Sequence, residues 1–200
     1  DKITKEYKIK VTIKDIDKPQ VSCPADILVY LKGGECRETV CYWPILATDN
    51  CAVTDTTYSI EPCTYFEIGT TPVTIYVYDA AGNVDSCSFN VIVLEYVPNG
   101  NTLTCNDHLN LSLDQNCQAE ITPDMLFEGG EYRCYEDYIV TLKDATGNIL
   151  ATSPFVYIEH EGKTLTYSVL DPATGNSCWG TILIEAKAIP WVISDELRRN

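Results

Sequence analysis

Ten cysteines among 200 residues are the side chains with the most chemistry open to them. They stand at positions 23, 36, 41, 51, 63, 87, 105, 117, 134 and 178. A thiol can ligate a metal, attack an electrophile or join a second thiol in a disulfide. No CxxC pair occurs, so a zinc site or a thioredoxin-like redox site is not expected. An even number of scattered cysteines in a strand-rich chain reads instead as disulfides, which points outside the cytosol. The histidines, His108 and His160, lie far apart and outside any metal-ligand spacing. There is no GxSxG and no phosphate-binding glycine loop. Once every thiol is given a partner, as below, none is left as a nucleophile. The expectation is a protein that is not an enzyme and carries no cofactor, calcium excepted.

Calcium is the ligand the carboxylates suggest. Asp15 and Asp17 flank the entry to a first structural unit, and Asp49, Asn50 and Asp79 could come near one end of it. Hard oxygen donors suit this ion, which takes about six to eight of them. No twelve-residue EF-hand pattern exists. The competing use is local: Asp and Asn cap turns by accepting backbone N–H bonds, which would account for Asp79, Asp144 and Asp171 alike. The turn reading is the favoured one.

The elements that must position these residues are strands. Apolar residues alternate with polar ones at Tyr7, Ile9, Val11 and Ile13, at Ile27, Val29 and Leu31, at Val73, Ile75 and Val77, and at Phe89, Val91 and Val93. The second half repeats the habit at Leu165, Tyr167 and Val169, then Ile182 and Ile184. Such strands bury one face and solvate the other. Turn signals fall between them, among them Gly82-Asn83, Gly147-Asn148 and Gly175-Asn176. Helix signals are sparse: one turn is expected after Thr122 and a short helix could start at Ser194. Many short strands at regular spacing indicate an all-β chain of two tandem immunoglobulin-like β-sandwiches.

The halves also match by cysteine. Cys23 and Cys36 enclose 12 residues and Cys105 and Cys117 enclose 11; Cys36 and Cys51 enclose 14 and Cys117 and Cys134 enclose 16. Each half then closes on an Asp-led turn, a cysteine and a last strand. This is an internal repeat with diverged sequence. A sandwich brings its first and last strands together, which pairs Cys23–Cys87 and Cys105–Cys178. The middle cysteines then give Cys36–Cys51 and Cys117–Cys134, and Cys41–Cys63 takes the remainder. Sequence alone does not prove a connectivity. The expected layout is a strand over residues 1–17, a first domain over 18–97, a second over 98–187, and the start of a further unit or a tail over 188–200.

Net charge is −15. Residues 1–20 hold six lysines against four acids, while the other 180 hold eight bases against 25 acids. That balance argues against nucleic acid, which needs a basic face. No apolar run approaches the roughly 18 residues of a membrane span, and the first residues lack the apolar core of a signal peptide, so a mature or excised fragment is the simpler reading. The basic strand over 1–17 has four apolar residues on one face. It reads as the last strand of a preceding unit, or as a strand lent to a neighbouring copy through Tyr7, Ile9, Val11 and Ile13. Trp43 is expected between the sheets, Trp179 over the Cys105–Cys178 bond and Trp191 at an interface. Tyr76 and Tyr78 could stack on a sugar, so surface glycans join neighbouring repeats and other copies of the chain as candidate partners.

Residues 17–95 resemble the hyalin repeat, or HYR, family of immunoglobulin-like modules. The likeness rests on "DKPQVSCPADILV", "YWPILATDNC" and "FEIGTTPVTIYVYDAAGNVDSCSFNVIV" in that order. Cys41 and Cys63 depart from the family's pattern. Residues 101–187, through "LTCNDHLNLSLDQNCQAEITPDMLFEGG" and "DPATGNSCWGTILIE", resemble a module that accompanies HYR repeats in large secreted proteins of Bacteroidota. The resemblance implies a secreted or cell-surface array that serves adhesion or builds stalks, exported by the type IX system. A filament subunit joined by strand exchange and a carbohydrate-binding accessory module are the alternatives.

Overall fold

The computed structural model describes residues 5–42, 45–100 and 102–185. The expectations for Trp43, Trp191, Ser194 and the stretch 188–200 lie outside those residues. The chain is almost entirely β and forms two compact units. One holds the residues up to Tyr30 together with Arg37–Leu94, and the other holds Leu31–Cys36 together with the residues from Glu95 onward.

The first unit is built from β1 (Gln20–Ser22), β2 (Ile27–Tyr30), β3 (Arg37–Val40), β4 (Leu46–Thr48), β5 (Val53–Tyr58), β6 (Thr64–Glu67), β7 (Gly69–Asp79) and β8 (Val84–Leu94). The last two are long because their period-two pattern runs unbroken. Val73, Ile75 and Val77 of β7 and Phe89, Val91 and Val93 of β8 point inward and are buried, while the residues between them are less so. Full burial of each such side chain contributes roughly 1.5–3 kcal/mol. The main sheet runs β2-β8-β7-β5, with β8 antiparallel to β7 and parallel to β2. The pairs β1–β4 and β3–β6 lie outside that sheet. Tyr42 contributes an edge-to-face contact with Phe89 at 5.2 Å, and its hydroxyl donates to the Ile60 carbonyl.

The second unit contains β9 (His108–Ser112), β10 (Gln118–Glu120), α1 (Pro123–Leu126), β11 (Ile139–Lys143), β12 (Phe155–Tyr157), β13 (Thr164–Leu170) and β14 (Ser177–Glu185). The helix is the single turn expected after Thr122. The main sheet runs β11-β13-β14-β9. Its last strand, β14, lies antiparallel to β13 and parallel to β9, the same arrangement as β8 between β7 and β2. Leu165, Tyr167, Val169, Ile182 and Ile184 are buried on its inner face.

Four turns share one design. The backbone N–H of Asp79 donates to the Asn83 carbonyl, that of Asp114 to Gln118, that of Asp144 to Asn148 and that of Asp171 to Asn176. Each ring closes through a residue with positive φ: Gly82 at +88°, Cys117 at +59°, Gly147 at +88° and Gly175 at +76°. Three of the four use glycine, which adopts that conformation without a Cβ penalty.

The disulfides are Cys23–Cys87, Cys41–Cys63, Cys105–Cys178 and Cys36–Cys134. The last replaces both Cys36–Cys51 and Cys117–Cys134, and Cys51 and Cys117 are free and exposed. The reason is local. Cys117 occupies the glycine position of the Asp114–Gln118 turn, so its side chain leaves toward solvent. Cys134 is buried, 3% exposed, and is met there by the segment Leu31–Cys36, which belongs to the second unit. Matching intervals of sequence reported a shared plan for the strands but not the course of the loops between them.

Candidate functional site

Three places could serve a function, and each is built from a different kind of residue. The first is the acidic corner of the first unit. Asp49 turns the chain after β4 by accepting the N–H groups of Cys51 and Ala52 through one oxygen, at 2.8 and 3.0 Å. Its other oxygen, Oδ1, is buried without a hydrogen-bond partner. Asn50 reaches Asp15 and Asp17 at 3.4 and 3.1 Å. Ligand atoms of Asp15, Asp49 and Cys51 lie within 4.8 Å of one another. The Asp15 carboxylate accepts from the Cys51 thiol and, with the nearby Asp49 and Asp79 charges, pushes it up. A thiol held protonated in this way is a poor nucleophile.

Of the residues expected to hold calcium, the corner gathers Asp15 and Asp49, with Asp17 tied in through Asn50. Asp79 is engaged in its own turn: its carboxylate takes the backbone and side-chain N–H groups of Asn83 at 2.7 and 2.6 Å. Burial pushes the Asp79 carboxyl up, but the bonds from Asn83, Ala81 and Gly82 outweigh it and hold the group below the usual range. Two carboxylates and a sulfur are few donors for an ion that prefers about six to eight oxygens. Cys51 was invisible as a member of this group from sequence, because it had been assigned a partner.

The second place is the segment before β1. Tyr7, Ile9, Val11 and Ile13 are 77–93% exposed, and no strand pairing involves residues 5–19. Four apolar residues that alternate in sequence with Lys8, Lys10, Thr12 and Lys14 have the pattern of a half-buried strand without the burial.

The third is a cleft of about 580 Å³ in the second unit, lined by Tyr96, Glu131, Tyr132, Arg133, Tyr138 and Asp171 among others. Its polar groups are engaged with one another. Arg133 clamps Glu95 through two bonds of 2.8 and 2.9 Å, and its backbone N–H donates to the Tyr138 hydroxyl. Tyr132 and Thr104 share a hydroxyl contact at 2.8 Å, and Thr174 donates to Asp171 at 2.8 Å. The Tyr96 hydroxyl is pushed up by its bond to Glu131. A network satisfied internally rigidifies the fold, and a ligand would have to compete with it.

The other sequence candidates fall into ordinary roles. His108 opens β9, and its Nδ1 sits 2.9 Å from Thr181 Oγ1. His160 is buried in a 3₁₀ turn, and its Nδ1 accepts the Tyr157 N–H. Trp179 is 70% exposed. Tyr76 is 40% exposed and Tyr78 is partly buried, both on β7.

Comparison with known proteins adds the following. The HYR domain model matches residues 14–93. The chain is 31% identical over 88 residues to the sushi, von Willebrand factor type A, EGF and pentraxin domain-containing protein 1 of Rattus norvegicus, covering 42% of this chain and 2% of that protein. Among solved structures it is similar to the endo-fucoidan hydrolase MfFcnA4 of glycoside hydrolase family 107, with TM-score 0.39 and 13% identity over 85% of this chain and 29% of that one. It is also similar to protocadherin gamma C5 EC1-3, with TM-score 0.28 and 14% identity over 84% and 68% of the two chains. No described helix is long and apolar enough to cross a membrane.

Proposed function

We propose that this chain is a structural and adhesive segment of a secreted or cell-surface array, a strut made of HYR-type and related sandwiches. One observation carries the reading. Each unit is stapled from the stretch just before a strand of its main sheet, β2 or β9, to its last strand, by Cys23–Cys87 in one and Cys105–Cys178 in the other. A bond so placed limits how far a pulled sandwich can unravel, because the residues between the cysteines cannot lengthen the chain. Export by the type IX route belongs to the same proposal. Force–extension measurements test it. At ~3.4 Å per residue, reducing the staples should release about 220 Å and 250 Å beyond the oxidised protein, from separations of 64 and 73 residues. Equal release with and without reductant would remove the basis for a strut.

A second reading rests on the bare strand. Residues 1–17 serve as the last strand of an adjoining unit or complete the sheet of another copy, burying Tyr7, Ile9, Val11 and Ile13. Both strands that hold the corresponding place, β8 and β14, lie between two neighbours in their sheets. Sedimentation of the 200-residue chain with and without residues 1–17 separates the options. Assemblies that vanish on deletion mean exchange between copies, and a monomer in both cases assigns the strand to an adjoining unit.

A further inference from the structure

The segment Leu31–Cys36 is the one stretch before Glu95 that belongs to the second unit. It is a closed turn: the Glu35 N–H donates to the Lys32 carbonyl at 3.2 Å, and the Glu35 carboxylate accepts the Lys32 N–H at 3.1 Å. Leu31 is buried. The turn is seated by a reciprocal pair of backbone bonds, Gly34 N–H to the Tyr132 carbonyl at 2.9 Å and Tyr135 N–H to the Gly34 carbonyl at 3.2 Å. Both glycines are required by this approach. A Cβ on Gly33 would lie 2.7 Å from the Glu131 Cβ, and one on Gly34, whose φ is +85°, would enter the Tyr135 ring. The strand-like seat ends in the Cys36–Cys134 disulfide.

The covalent consequence follows from counting connections. Cys23–Cys87 and Cys41–Cys63 close loops within residues 1–94, and Cys105–Cys178 closes one within residues 95–200. Among the described disulfides, Cys36–Cys134 is the one that joins a residue before the chain's linker, the stretch after Leu94 that carries Asn99 and Gly100, to a residue after it. We propose that Leu31–Cys36 is a fastener, giving the chain a second covalent connection in parallel with its linker, so that a protease cut there does not part the two halves. The inference rests on the strut reading for its purpose, but its test is separate.

A protease site inserted between Asn99 and Gly100 of the whole chain provides that test. A single molecule held by its ends is cleaved in the folded state. The parent tether is expected to survive cleavage and to part only when dithiothreitol is added, whereas the Cys36→Ala/Cys134→Ala double variant parts at once. In bulk, the cleaved parent should run as one species on a non-reducing denaturing gel and as fragments 1–99 and 100–200 after reduction. Separation of the parent without reductant overturns the proposal, even where the unit staples still shorten the force-extension curve. Should the double variant fail to fold, Gly34→Val keeps the test open. Its steric conflict with Tyr135 should raise the thiols titrated in the unfolded, unreduced protein from the two of Cys51 and Cys117 toward four. A count that stays at two shows that the seat does not direct this pairing, and the fastener is then wrong as described.

Discussion

The two main sheets are alike and what accompanies them is not. In both units the final strand lies between an antiparallel partner and a parallel one, in the orders β5-β7-β8-β2 and β11-β13-β14-β9. Beyond the sheet, the first unit has two strand pairs, β1–β4 and β3–β6. The second has β10–β12, the one-turn helix and a cluster in which Phe127 stacks on Tyr132 and meets Tyr138 edge-on. The difference teaches that a long alternating strand with two neighbours leaves little freedom, while short strands and loops can be rebuilt around the same sheet. The cysteines divide on the same line. Those that tie the sheet's last strand occupy equivalent places, and the middle ones, which sit in the rebuilt part, do not.

The comparison can be broken most sharply at the staples. Removing Cys23–Cys87 or Cys105–Cys178 as Ala pairs should each cost about 4 kcal/mol, because loop-closure entropy depends only on the logarithm of separations of 64 and 73 residues. Cys41–Cys63, separated by 22, should cost about 3 kcal/mol. Denaturant melts that find one outer staple dispensable would show that the units are not held alike.

Core truncation comes next. Ile75→Ala in β7 and Ile182→Ala in β14 remove fully buried side chains from equivalent sheets and should each cost about 3 kcal/mol. A much smaller loss in one unit, measured by the same melts, would mean that its core collapses around the gap.

The turns sharpen the comparison in the opposite direction. Cys117→Gly should stabilise the protein by about 1 kcal/mol, since φ of +59° strains an L residue and costs glycine nothing comparable. Destabilisation instead would give the Cys117 side chain a structural task that its exposure does not reveal.

The carboxylates of the same turns govern acid behaviour. Asp144 is held below its usual range by bonds from Thr146 and Asn148, and Asp79 by those described above. A depressed folded-state value means the stabilisation is complete above the unfolded value of about 3.9 and is lost as pH falls through the folded one. The melting temperature should therefore be flat near neutrality and fall below about pH 4. Asp79→Asn and Asp144→Asn should flatten that fall, and an unchanged slope would move the acid sensitivity elsewhere. Smallest of all, millimolar calcium is expected to leave the melting temperature where it was. A rise that Asp49→Asn abolishes would reinstate an ion at the acidic corner.

The residues differ in how much they disclose by themselves. Alternation in "TPVTIYVYD" and "CSFNVIV" is enough to assign β7 and β8 and their buried face, because side chains on a strand point to opposite sides whatever surrounds them. An Asp followed by Gly-Asn is enough for a turn, because the carboxylate and the positive φ are satisfied within five or six residues. Asp79 was thus readable as a turn residue. The partners of Cys36 and Cys134 were not readable. They lie 98 residues apart, and their meeting depends on two glycines, a tyrosine ring and a pair of backbone bonds contributed by segments with no periodic pattern. Local chemistry therefore determined the strands, the turns and the sidedness of this protein. Which thiols were left free, and which loop closed on which, was decided only when the packed chain brought together atoms that nothing in their own neighbourhoods required to meet.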